Sequence, residues 1–188
     1  MMRTLMLFLL LAAAGQVSAQ VSTDSLPGLD KSPMDESYFP ANYPILKVEG
    51  KISGTPVMRV IYSRPQMKGR KIFGDLIPFG QVWRLGANEA TEIEFFTEVR
   101  IDQKKVPKGR YTVYAIPYPD TWTLILNRDT DTWGSFHYDS SRDVLRTDIP
   151  VVHFGPTEAL TIVFHARAGG ATMDIYWDDA KVSLPITF

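Results

Sequence analysis

Between Thr91 and Ile101 the chain alternates with a period of two. Ile93, Phe95, Thr97, Val99 and Ile101 fall on one face, and Glu92, Glu94, Glu98 and Arg100 on the other. Successive side chains of a strand point to opposite faces, whereas a helix would spread these residues around its circumference. The run therefore reads as a half-buried strand. One apolar and one wet face is the pattern of an antiparallel sheet, since parallel sheets are covered on both sides.

The same period recurs along the rest of the chain. Strand candidates are Val57–Tyr62, Lys104–Val106, Tyr111–Ile116, Thr121–Asn127, Val144–Phe154, Ala159–Ala168, Thr172–Trp177 and Lys181–Phe188. Asp102-Gln103, Pro107-Lys108-Gly109, Pro117-Tyr118-Pro119-Asp120, Gly169-Gly170 and Asp178-Asp179 separate them as turns. Short strands in close succession with almost no helical pattern predict an all-β fold, a single antiparallel β-sandwich or open barrel. There is no cysteine, so such a fold is held by burial of its 45% hydrophobic residues rather than by disulfides.

The first residues predict export. Arg3 precedes an apolar run, Leu5–Ala14, and Val17-Ser18-Ala19 resembles a signal-peptidase site ahead of Gln20. The run is too short to span a bilayer, which takes about 20 residues as a helix. Residues 1–19 are thus read as a signal peptide, with no integral membrane segment after cleavage and a periplasmic or secreted bacterial location. Residues 20–46 read as a polar tail and an extended arm carrying Tyr38, Phe39 and Tyr43. Residues 47–188 read as the β-domain.

One segment interrupts the rhythm. Residues 63–90 show no alternation, yet Ile72, Phe73, Leu76, Ile77, Phe79, Val82 and Trp83 demand burial. The expectation is one long ordered excursion between early strands, with a helical turn around Asp75–Ile77. Its strings Tyr62-Ser63-Arg64-Pro65, Lys68-Gly69-Arg70, Ile72-Phe73-Gly74 and Val82-Trp83-Arg84-Leu85-Gly86-Ala87-Asn88-Glu89-Ala90-Thr91 resemble a Bacteroidetes-type family of exported proteins. That family is catalogued as domain of unknown function 2911. Pro107-x-Gly109-x-Tyr111, Trp122-Thr123, Trp133-Gly134 and Asp143-Val144-Leu145-Arg146 extend the resemblance. It implies an exported β-domain and no reaction.

The excursion carries Arg64, Lys68, Arg70, Lys71 and Arg84 against Asp75 and Glu89. Arginine forks suit carboxylate, sulfate or phosphate, and Tyr62 or Trp83 could stack on a sugar or another planar group. The opposing expectation is an internal network in which Asn88 and Glu89 pin the loop and Glu89 holds Arg64 or Arg84. Trp133 and Tyr138 sit in the turn-rich stretch 128–141 and fit no core alternation. The ligand-binding candidates are therefore Tyr62, Arg64, Lys68, Arg70, Trp83, Arg84, Asn88, Glu89, Trp133 and Tyr138.

Other chemistries lack their signatures. His137, His153 and His165 show no metal-ligand spacing, and neither phosphate-cradling glycine motif nor nucleophile elbow occurs. No metal or cofactor is expected, and a formal net charge of −1 gives no footprint for nucleic acid. The sequence favours a non-catalytic envelope binding module for an acidic or carbohydrate ligand. A glycan-active hydrolase or lyase built on Glu89, and a purely structural envelope protein, are the alternatives.

Overall fold

The inward residues of the alternating runs meet in one core. Met58, Val60, Ile93, Phe95, Val113, Leu124, Ile162, Ile175 and Leu184 are all buried in it. Among the described residues there are nine strands: β1 Met34–Phe39, β2 Met58–Ser63, β3 Glu92–Phe95, β4 Val99–Ile101, β5 Lys104–Val106, β6 Gly109–Pro117, β7 Thr121–Asn127, β8 Asp143–Arg167 and β9 Gly170–Thr187. Every pairing is antiparallel, in the order β1-β2-β3-β6-β7-β8-β9-β4-β5, and the sheet is not closed. The computed structural model describes residues 26 and 28–188; the signal peptide read at 1–19 lies outside them. Among the described residues, no helix is long and apolar enough to cross a membrane.

β8 and β9 form a long, irregular hairpin. The first part of β8 pairs with β7, from Asn127–Asp143 to Thr121–Pro150. Its ladder with β9 starts at Val151–Val182, is interrupted between His153 and Thr161, and ends at Arg167–Gly170. Asp178 adopts φ 55° opposite that interruption. Bulges of this kind bend a strand and sharpen its twist, and the hairpin tip returns to the far end of β9. A β-carbon at Gly170 would collide with the Ile186 carbonyl and stand 2.8 Å from Thr187 Cα. Only glycine fits that approach.

The returning half of β8 meets the opposite edge of the sheet. Met67 N donates to Glu158 O (2.8 Å) and Leu160 N to Pro65 O (3.0 Å). Side chains continue the seam: Ser37 Oγ donates to Ile162 O (2.6 Å) and Arg64 Nε to Leu160 O (3.1 Å). Backbone acceptors that no ladder reaches are satisfied in this way.

Five expectations change. The run Thr91–Ile101 is two strands: β3 lies between β2 and β6, whereas β4 pairs with β5 and β9. Both halves face one core, and of the inward-reading residues only Thr97, at the crossing, is exposed. Val144–Phe154 and Ala159–Ala168 belong to one strand, and Asp178-Asp179 lies within β9, opposite the irregular stretch of β8, rather than in a turn. At Asp75–Ile77 there is no helical turn. Phe73 and Ile77 form an isolated bridge around it, consistent with Pro78 excluding helical geometry at Ile77. The arm is not merely laid on the domain: Met34–Phe39 is edge strand β1, and residues 43–48 form a short helix.

Candidate functional site

Most of the excursion serves the core. Trp83 is 4% exposed, and its backbone pairs with Ala115 on β6. Its ring stacks on Trp177 (5.7 Å) and meets Trp122 and Phe73 edge-on, while Nε1 donates to Gly86 O (3.0 Å). An indole so enclosed, with its donor used, has no face left for a ligand. Tyr62 is also buried.

The cations of the excursion have structural partners or none. Arg64 is fully engaged by Leu160 O, Asp35 Oδ2 (2.9 Å) and Thr161 Oγ1 (2.9 Å). Arg70 folds back onto its own loop, donating to Met67 O and Gln66 O. Lys68 is exposed, its backbone N–H bound to Glu158 Oε1 (2.9 Å). Arg84 is half-buried, and its side chain makes no ion pair or hydrogen bond among the described residues, although its carbonyl accepts from Thr91 N (3.1 Å). Burial lowers its pKa. The expected pairing of Glu89 with Arg64 or Arg84 does not form.

Asn88, Glu89, Trp133 and Tyr138 are brought together. The loop after β7 docks on the end of the excursion through Ala90 N–Thr132 O (3.0 Å) and Gly134 N–Asn88 O (2.9 Å). Ser135 Oγ adds a bond to Val82 O. Beneath it, Tyr114, Ile125 and Ala90 form a small apolar cluster on the outer face of the sheet, packed by Val82, Ile116 and Tyr138. Asn127 ties both ends of the loop, donating to Asp139 O and Asp143 Oδ1 and accepting from Asp129 N. Tyr138 donates to Asp143 Oδ2 (2.6 Å) and accepts from Arg146. Burial and the Asp143 carboxylate push this phenol up to about 12. Asn88 also donates to Asp30 Oδ2.

On this pinned loop two apolar rings face solvent, Trp133 at 60% and Phe136 at 78% exposure. The Phe136 ring lies over Gly134, where φ is 71° and a β-carbon would stand 2.6 Å from it. Two hollows adjoin along Asp131 and Thr132. One, of about 400 Å³, is lined by Tyr114, Asp129, Trp133, Phe136 and His137. The other, of about 450 Å³, is lined by Arg59, Ile61, Glu89, Glu92 and Arg110.

The charges here are largely settled internally. Arg110 binds Glu92 (2.9 Å) and Asp131 (2.5 Å), and Arg59 binds Glu94 (2.8 Å). Arg110 holds the Asp131 carboxyl below its ordinary range. The Glu89 and Asp129 side chains make no ion pair or hydrogen bond among the described residues. Arg59 and Arg110 were not among the sequence candidates, because each occupies an outward strand position. Only the register that places Glu94 opposite both reveals them.

A family model described as "Protein of unknown function (DUF2911)" matches residues 44–186. No curated protein and no solved structure matches the chain. The chain belongs to the DUF2911 family.

Proposed function

We propose that this member of the family is a carbohydrate-binding module of the cell envelope, exported and without catalysis, with the Trp133–Phe136 loop as its platform. One observation carries the reading: a loop fixed by hydrogen bonds at both ends and along its base presents two apolar rings to water. Exposed rings on a preorganised loop suit the C–H face of a sugar, and they lose little entropy on binding. Glu89 and Asp129 supply free acceptors for hydroxyl groups around the rings. Of the two ligand classes suggested by the sequence, a neutral sugar is favoured over an acidic one, because both arginines of the hollow are already paired with carboxylates.

The test is a screen of neutral and acidic oligosaccharides against the processed protein and its Trp133→Ala variant. Binding of a neutral oligosaccharide that Trp133→Ala abolishes supports the proposal. Binding confined to acidic glycans, or indifferent to Trp133, refutes it.

A further inference from the structure

A second hollow opens where β8 and β9 separate. Their ladder begins at Val151–Val182. On the other side of that pair, Thr147–Ile149 of β8 stay with β7, while the end of β9 meets β4 at Arg100–Thr187. The strands part around a space of about 310 Å³ floored by the buried Ile101, Ile149 and Leu184. Its rim carries Arg100 from β4, Asp102 from the β4–β5 turn, Asp148 from β8 and Arg167 from the far end of β8.

These four charges do not neutralise one another. Among the described residues, the side chains of Arg100, Arg167 and Asp102 make no ion pair or hydrogen bond, and Asp148 accepts only the Thr123 hydroxyl (2.6 Å). They come from separate places in the fold and stand around the space instead of meeting across it. This is unlike the Trp133 hollow, where arginines and carboxylates are joined. A lone anion entering here would face two carboxylates, and a lone cation two guanidinium groups. A ligand that carries both charges satisfies both pairs at once. The volume is at the small end for ligand pockets, which limits the ligand to a few heavy-atom groups.

We propose that this hollow binds a short zwitterionic ligand of amino-acid or dipeptide size. Arg100 and Arg167 hold its carboxylate, and Asp102 and Asp148 hold its ammonium group. Forked guanidinium–carboxylate bonds fix one end of such a ligand, and the apolar floor takes its side chain.

Calorimetric titration of the processed protein with alanyl-alanine tests this, with N-acetyl-alanyl-alanine and alanyl-alanine amide as singly charged controls. The expected result is saturable binding in the millimolar range, weakened about fivefold or more by blocking either end of the dipeptide. The double variant R100M/R167M should weaken it as much. Both arginines are exposed, so the variant should melt as the wild type does. Trp133→Ala should leave dipeptide binding intact, so this site and the sugar platform stand or fall separately. Absence of binding at millimolar alanyl-alanine overturns the proposal. So does equal binding of the N-acetyl or amide control, or binding unaffected by R100M/R167M.

Discussion

Residues 64–90 and 128–142 are two long irregular segments among the described residues, and they use aromatic and charged residues in opposite ways. In the first, Phe73 and Trp83 turn inward and complete an aromatic core with Trp122 and Trp177. Arg64 closes the seam and Arg70 caps its own loop. In the second, polar contacts face inward to the sheet and the rings Trp133 and Phe136 face out. A basic, aromatic-rich excursion is therefore not by itself a site. What separates the two is whether the ring and its polar atom already have partners.

The largest expected effect is on the inward ring. Trp83→Ala should cost about 3–5 kcal/mol through lost transfer energy and the cavity left among three aromatic neighbours. Urea unfolding measures it, and a loss near that of Trp133→Ala would erase the contrast between the segments. Arg64→Met comes next, at about 1–3 kcal/mol, because it orphans the Leu160 carbonyl and two further partners. In the second segment, Tyr138→Phe should cost about 1 kcal/mol by removing the hydroxyl shared with Asp143 and Arg146. Its pH dependence sharpens the assignment. The folded phenol titrates at about 12 against an ordinary 10.0. Its stabilisation is whole below the unfolded value and fades as pH rises through the folded one. Alkaline unfolding of Tyr138→Phe should lack that part of the slope. Arg70→Met and Trp133→Ala are the smallest, each within about 0.5 kcal/mol, since both side chains are exposed. A cost for Arg70→Met as large as that for Arg64→Met would show that self-capping is not its role.

Much of the fold was legible because alternation reports which side chains share a core. Ile93, Phe95, Val99 and Ile101 announced the inward face correctly, but alternation cannot tell one strand from two that cross between partners over the same core. Asp178-Asp179 looked like a turn because αL-tolerant residues mark turns, yet Asp178 takes φ 55° inside β9, opposite the residues inserted in β8. Trp133 stood out in sequence because no alternating partner flanked it, and it is exposed. Trp83 carried two readings, a residue demanding burial and a ring that could stack on a ligand, because its single bridge to Ala115 lies in an irregular segment with no periodicity to decide between them. Glu94 read as a wet-face residue, yet its side chain is half-buried and holds Arg59, a pairing set by register across β2 and β3. The ten candidate residues could not be sorted into core, seam and surface before those long-range contacts were known.

Iodide quenching of tryptophan fluorescence, with and without a neutral oligosaccharide, tests most directly whether the second segment is a binding platform. Trp83, Trp122 and Trp177 are buried and Trp133 is exposed, so one quenchable component should be present and should vanish in Trp133→Phe. A bound neutral sugar should shield that component in the wild type without altering the buried three. Quenching that stays complete in the presence of every neutral oligosaccharide the protein binds would contradict a Trp133 platform.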